Sequence, residues 1–436
     1  MRLGLVLALS AAPAAAQTFT VAPSGGDFTE IQAAIDAAPP GATVLVAAGQ
    51  YDPFVLAKPL TILGEGSGVV QVGDWFAGPF ASSRVVQIPA GTSARLSGLS
   101  FEARLCTGFF IPCLLSNLGY PLVVEGCAGV VALHDVVVDW SEAAVLAELA
   151  DVGAALTVTD SALVLVDRAR LGSSDAVPGW GIGATNSTLW ISDSVVHGGH
   201  GLAYSFVDPS YFPGSSAAFL TDSVLYAART EFWGGNPTYI GGFLGQDHAT
   251  GGAGVRANGS VLKFAGAGLI AGLYITGFDP DLGLYEYADL VLTGGSYALA
   301  DEGWTSFPSG FLADPSSTFH PTSATYPMLR FGDWSVQPGA ATVLDFDGAP
   351  GSVVLPFASF DVGAPFALPG VDGAAALHPG SLVALPARVI GPQGYSSLPI
   401  AVPSGIGNLL VHAQAVATSP TGVLALSNPT SIAILE

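Results

Sequence analysis

From about residue 130 onward, apolar and polar positions alternate in short runs that Asp, Asn, Gly and Ser interrupt at nearly regular intervals. Laying the chain over itself aligns Ala132-Leu133-His134-Asp135, Leu165-Val166-Asp167, Trp190-Ile191-Ser192-Asp193 and Phe219-Leu220-Thr221-Asp222, with the aspartates 32, 26 and 29 residues apart. Leu96-Ser97-Gly98 precedes the series, and Phe264-Ala265-Gly266 and Leu292-Thr293-Gly294 extend it with glycine in the aspartate position. No sustained helical period lies between these segments, so the pattern predicts short strands joined by turns. A unit of about 30 residues cannot bury its inner face alone and must stack on copies of itself, which predicts a β-solenoid. The alignment places Leu133, Leu165, Ile191, Leu220 and Phe264 in inward stacks. It places Asp135, Asp167, Asp193 and Asp222 in one column, which reads either as a turn position that tolerates left-handed backbone or as a set of calcium ligands, with Asp193 and Asp222 the candidates.

The start of the chain has a different texture. Gly26-Asp27-Phe28-Thr29-Glu30-Ile31-Gln32 leads into Ala33-Ala34-Ile35-Asp36-Ala37-Ala38, which Pro39-Pro40-Gly41 ends before the apolar run Thr43 to Ala47. Thr29 is placed to cap a short helix whose Ile31, Ala34 and Ile35 share one face and plug the end of the solenoid. With Gly49-Gln50-Tyr51 and Lys58-Pro59-Leu60-Thr61-Ile62-Leu63-Gly64, this segment resembles the beginning of the pectin-lyase-like proteins, pectin methylesterases among them. The resemblance implies an all-β chain, a right-handed parallel β-helix with an N-terminal helical cap over residues 17–335.

After Gln337-Pro338-Gly339 the strands are short, nearly uncharged and separated by Pro and Gly, as in Gly348 to Pro356, Pro399 to Pro403 and Leu426 to Ile434. That pattern predicts a small β-sandwich over residues 336–436. It is similar to all-β modules at the C-termini of diverse secreted bacterial proteins, which implies a role in attachment, export or adhesion.

Charge narrows the functions. The sequence carries 12 Lys plus Arg against 34 Asp plus Glu, a net charge of −22, which opposes nucleic acid. Hydrophobic residues make up 50%, which excludes a disordered polar chain. Arg2, the apolar run Leu3 to Leu9 and Ala14-Ala15-Ala16 follow the order of a secretory signal, predicting removal of residues 1–16 and a secreted, extracellular or surface-associated protein. No transmembrane segment is expected, because the apolar stretch from residue 261 is interrupted by Lys263 and glycines. Three cysteines in an oxidising compartment predict one disulfide, with Cys106–Cys113 favoured across a Gly/Pro loop and pairing of either with Cys127 also open.

The chemistry the resemblance would bring is incomplete. Of the pectin methylesterase motifs Gly49-Gln50-Tyr51 is present, but Gln-Asp-Thr, Asp-Phe-Ile-Phe-Gly and Gly-Arg-Pro-Trp are not. Gly199-His200-Gly201 matches a polygalacturonase-like triplet without the paired aspartates that should accompany it. Counting seven residues past each column aspartate brings Glu142, His200 and Arg229 toward one face as candidate acid, base and cation, with Trp233 and Glu231 as candidate ligand-binding residues. His197, Asp247 and His248 lack the paired spacing of a metal site. The sequence therefore favours a secreted β-helix without a complete catalytic motif, needing no cofactor beyond possible calcium, that binds extracellular or cell-wall polysaccharide or serves as a surface adhesin. The alternative is a polysaccharide lyase, hydrolase or carbohydrate esterase of the pectin-lyase-like class.

Overall fold

The structure is a computed structural model that describes residues 17–74, 82–104, 120–141, 153–172, 179–200, 214–236, 252–271, 288–301, 305–307, 310–322 and 327–435. The expected signal peptide, the Cys106 and Cys113 pair, Glu142, Asp247 and His248 lie outside the described residues.

The described residues between 18 and 321 wind into a parallel β-helix of three faces. On the first face Leu163–Asp167, Thr188–Ser192, Val224–Ala228 and Val261–Ala265 stack in register, so that Val166, Ile191, Ala227 and Phe264 form one column. The second face carries Arg170–Leu171, Val195–His197, Glu231–Trp233 and Gly268–Ile270, with Leu171, Val196, Phe232 and Leu269 in column. The third carries Ala154–Thr159, Trp180–Thr185, Ala218–Thr221 and Val255–Asn258, with Val158, Ala184, Leu220 and Ala257 in column. All three columns point inward and merge in a single core, which alternation of side chains along each strand dictates. Parallel connections of this kind take the right-handed sense.

The corners explain the sequence repeat and correct its register. Between the first and second faces, Gly98, Asp135, Arg168, Asp193, Arg229 and Gly266 take left-handed backbone, with φ between 46° and 68°. Between the third and first faces, Gly126, Asp160, Asn186, Asp222, Gly259 and Gly294 do the same, with φ between 48° and 63°. The expected aspartate column is thus three different environments: Asp135 and Asp193 share one corner row, Asp222 stands on the other corner, and Asp167 lies within a strand beside His134 and Ser192. Asp193 and Asp222 therefore stand on different corners of the helix, and among the described residues no group of three or more His, Cys, Asp or Glu is placed together.

A serine follows most residues of the second corner row. The backbone N–H of Ser161 donates to Ser187 Oγ (3.1 Å), Ser187 to Ser223 (3.2 Å), Ser223 to Ser260 (3.1 Å) and Ser260 to Ser296 (3.0 Å). The hydroxyls of Ser161, Ser187, Ser223 and Ser260 in turn donate to the carbonyl two residues back in their own coil, as Ser187 does to Thr185 at 2.7 Å, and that of Ser296 donates to Thr293, three back. The ladder satisfies buried N–H groups that a tight turn leaves without a strand partner. Cys127 occupies the first rung, buried and free, its backbone N–H 3.5 Å from Ser161 Oγ and its thiol pKa raised by burial.

The predicted helix runs Ile31–Ala37, and Ile31, Ala34 and Ile35 are buried in the core of the first coils as the pattern demands. Its N-cap is Glu30, with no side-chain cap bond, in place of the expected Thr29. No helix among the described residues is long and apolar enough to cross a membrane.

Past the helix most strand pairs are antiparallel. They begin at Met328–Phe331, which pairs with Ala341–Asp347, several residues before the expected boundary at 336. Ala341–Asp347 pairs in turn with Tyr395–Ala401, while Val353–Ser359 pairs with Leu409–Thr418 and that strand with Thr430–Ile434. Leu329, Leu344 and Phe346 from the first sheet meet Val354, Ala415 and Ile432 from the second in one core.

This C-terminal module lies against the outer side of the first face. Val130, Ala132, Leu163, Leu165 and Trp190 point outward there and are covered by Val362 and Ala376. Polar contacts frame the apolar patch: Ser431 N–H donates to Asp167 Oδ2 (2.9 Å), His134 Nε2 meets the Trp334 carbonyl (3.0 Å), Ser93 Oγ donates to Asp361 Oδ1 (2.8 Å) and Lys263 Nζ lies 2.9 Å from Asp372.

His412, on the module strand Leu409–Thr418, is fully buried, its Nδ1 2.8 Å from Ser431 Oγ. Burial, reinforced by Arg95 and His134, drives its pKa well below the ordinary value of 6.5 against the opposing pull of Asp167. The folded form refuses a proton that the unfolded chain accepts below about pH 6.5, so this contribution to stability is complete above that pH and is lost on acidification. Stability should fall by up to about 1.4 kcal/mol per pH unit below 6.5 on this account. Urea unfolding across that range should show a shallower slope in His412→Gln, and identical slopes in the two proteins would refute the assignment.

Candidate functional site

The second face of the helix presents its outer side chains in two rows. Strand alternation sends Leu171, Val196, Phe232 and Leu269 inward and leaves Arg170, Val195, Glu231 and Gly268 in one outer row, with His197, Trp233 and Ile270 in the next. Successive coils are about 4.8 Å apart, so Arg170 lies two steps, about 10 Å, from Glu231 in its own row and about 12 Å from Trp233.

Trp233 is the feature that stands out. It is 38% exposed at the end of the strand Glu231–Trp233. The indole is fixed from two directions: Nε1 donates to Glu231 Oε2 at 3.0 Å, and the ring stacks on His197 with centroids 6.2 Å apart and planes 21° apart. His197 is kept neutral near pH 7, because burial, then Arg170 and His200, lower its pKa more than Glu231 raises it. A neutral imidazole supports the indole without drawing a counter-ion to the face. The result is a flat aromatic platform with the Glu231 carboxylate at one edge.

The candidates from the sequence separate. Trp233 and Glu231 do come together, as a hydrogen-bonded pair. His200 and Arg229 do not stand side by side: the coil neighbour of His200 is Asn236, whose backbone N–H donates to His200 Nδ1 at 2.7 Å. Arg229 is a corner residue, held in a two-pronged ion pair with Asp193 (Nε to Oδ1 2.7 Å, Nη2 to Oδ2 2.6 Å), and it donates to the Leu329 carbonyl (2.8 Å) with Asp347 at 3.5 Å. Burial works against its charge, but the bond to Asp193 and the surrounding carboxylates prevail and raise its pKa. A guanidinium spent in this way joins the module to the helix and is not available as a catalytic cation. The seven-residue count failed because it started from aspartates that belong to different corners.

No motif in the sequence marks Arg170 as a site residue, and His197 stands out there only beside Asp247 and His248 as a metal ligand. The signal lay in the Thr-Asp-Ser, Thr-Asn-Ser and Asn-Gly-Ser triplets, which fix the true register and with it the outer rows.

No protein-family model matches the chain, and no curated protein matches its sequence. Among solved structures it is similar to a pectin methylesterase in complex with a hexasaccharide, at 14% identity and a TM-score of 0.30, over 68% of this chain and 93% of that one. It is also similar to an alginate lyase from Paenibacillus sp. str. FPU-7, at 12% identity and a TM-score of 0.20, over 69% of this chain and 99% of the other. A sporulation control protein from Bacillus subtilis matches 26% of this chain and 51% of its own, at 9% identity and a TM-score of 0.16. At these TM-scores the likenesses add nothing to the strand register, which by itself establishes the parallel β-helix.

Proposed function

We propose that the protein is an extracellular glycan-binding β-helix, which recognises cell-wall or matrix polysaccharide on the outer side of its second face. The observation that carries the reading is the Trp233 platform, an exposed indole fixed by Glu231 and His197 on a flat strand surface. Such a ring offers its face to the C–H side of a sugar, while the second oxygen of Glu231 accepts from a hydroxyl. Glu231 is spent on the indole N–H, which suits positioning better than proton transfer. The C-terminal module, docked along the first face, leaves this platform uncovered and supplies rigidity, consistent with attachment of the whole body to a surface.

A polysaccharide array run with calcium and with chelator, read for retention and for reducing ends or unsaturated products, tests the proposal. Retention without product is expected. Covering a large aromatic side chain contributes about 1.5–3 kcal/mol, so Trp233→Ala should weaken binding roughly tenfold to a hundredfold. Release of product by the wild type, or retention unaffected by Trp233→Ala, would overturn it.

A further inference from the structure

Charge is divided unevenly between the two bodies. Most of the module, from Gly348 to Leu435, carries two acidic residues, Asp361 and Asp372, against one basic residue, Arg388, and so contributes −1 to the chain's net charge of −22. The acidic excess lies chiefly in the helix part of the chain, so two copies repel through their helices far more than through their modules.

Within this nearly uncharged stretch one sheet face changes character along its length. On the paired strands Val353–Ser359 and Leu409–Thr418, Ser359, Phe357, Leu355 and Val353 stand opposite His412, Gln414, Val416 and Thr418 and share one face. One end of that face is sealed against the helix: Ser359, His412 and Gln414 are buried, and Gln414 accepts from the backbone N–H of Ala376 (2.9 Å), a residue that covers the outer patch of the helix. The other end emerges into solvent. Leu355 is 39% exposed and Val353 47%, and the row through Val353 runs on to Val389 on one flank, 60% exposed, and across Thr418 to Leu424 on the other, 36% exposed. The row crosses four adjacent strands without a charged side chain and forms an aliphatic band of roughly 300–500 Å², the size at which an exposed patch is commonly an interaction site.

We propose that this band is a self-association surface, at which two copies of the chain pair face to face about a two-fold axis with Val353 and Val389 near its centre. Three features select a second copy as the occupant. The band continues the sheet face that already packs toward the helix, so one surface serves the internal junction at one end and a partner at the other. Its strands bear almost no charge, so identical faces meet without the repulsion that the acidic helices impose on each other. Its side chains are aliphatic, without the Trp, Tyr or Lys that anchor a protein at a lipid surface. Two such bands in contact bury roughly 600–1,000 Å², below the about 1,200–2,000 Å² of a stable interface, so the pair is reversible, with a dissociation constant of about 1–100 μM. The pairing uses no residue of the Trp233 platform and holds whether or not that platform takes a glycan.

Sedimentation equilibrium of the full chain, at loadings from about 1 to 300 μM, tests the pairing. Monomer should give way to dimer over that range, and added sodium sulfate should tighten the dimer, because it screens the helices from each other and strengthens apolar contact. The double variant Val353→Asp/Val389→Asp changes two exposed side chains, and its melting is recorded first to show that the fold persists. Its dissociation constant should rise at least about tenfold, since each copy brings two carboxylates to the shared face. Val389→Thr, which introduces no charge, should weaken the dimer about twofold to fivefold and keeps the test intact if the double variant does not fold. A monomer at every loading, a dimer that loosens in added sulfate, or a dimer undiminished in the variants would each overturn the proposal. Capture of a monomeric chain by neutral phosphatidylcholine vesicles, lost in the double variant, would overturn it as well and assign the band to lipid.

Discussion

Replacing Ile191 by Asp should abolish the folded β-helix. Ile191 is 1% exposed and sits in a column with Val166 in the coil before it and Ala227 in the coil after it. A carboxylate there meets only aliphatic neighbours, and a buried polar group without a partner costs several kcal/mol, more if it stays ionised. Native domains have only about 5–15 kcal/mol in total. The stacked geometry raises the damage further, because each coil is held mainly by the coils on either side of it and a defect in one breaks the continuity of both. Soluble yield, far-ultraviolet circular dichroism and thermal melting should all report loss of structure. Ile191→Val keeps the column apolar and should cost only about 0.5–1.5 kcal/mol. Leu220→Asp, on the third face but equally inside the core, should behave like Ile191→Asp. Normal folding of either Asp variant would show that these positions do not point inward.

The architecture was legible in the sequence because alternation and turn residues are local signals. Leu133, Ile191 and Phe264 were assigned inward and are found there in one column. Leu165 was assigned to the same stack and points the other way, onto the C-terminal module. A slip of one residue moves a side chain to the opposite face of a strand, and the slip here came from matching Asp167 to Asp135. The residue that turns that corner is Arg168, at φ 54°. Arginine is not a residue that sequence rules place in left-handed backbone. What offsets the local cost is visible only in three dimensions, in its bond to the Phe331 carbonyl 163 residues away. The better ruler was the run of Thr159-Asp160-Ser161, Thr185-Asn186-Ser187, Thr221-Asp222-Ser223 and Asn258-Gly259-Ser260, where each serine serves the coil before it.

The docking of the module was hidden for a related reason. Ala132, Leu165 and Trp190 are apolar on an outer row, and in sequence they are indistinguishable from residues that face inward. Of the site, the Trp233 and Glu231 pair lay within three residues and could be read directly. His197 is supplied by the coil before and reaches the ring only in the register that the serine triplets fix.

Asp167→Ala should destabilise the whole chain by about 3–5 kcal/mol, because it leaves several buried polar groups without their acceptor. Asp167 is 4% exposed and gathers four groups from both bodies: His134 Nδ1 at 3.1 Å, Ser192 Oγ at 2.8 Å, Ser431 N–H at 2.9 Å and Thr430 Oγ1 at 3.4 Å. Burial alone would raise its pKa, but the hydrogen bond and charge of His134, with Arg168 and Ser192, prevail and hold it below the ordinary 3.8. A carboxyl whose folded pKa is depressed contributes stability above its unfolded value, and that contribution is lost only as the pH falls through the folded value. The clamp is therefore intact at neutral pH, where the alanine variant should be compared. Removing the carboxylate strands the histidine, the serine hydroxyl and a backbone N–H in a dry interface, which is costlier than exchanging the whole set for apolar side chains. Asp167→Asn keeps an acceptor for Ser431 and loses the charge, so it should fall between the alanine variant and the wild type. Hydrogen exchange should show the loss concentrated in Thr430–Ile434 and Met328–Phe331, the module strands that meet the helix here, with the inward columns less affected. If Asp167→Ala melts within about 1 kcal/mol of the wild type, the carboxylate is not what fastens the module to the helix, and the apolar patch around Leu165 and Trp190 must hold it unaided.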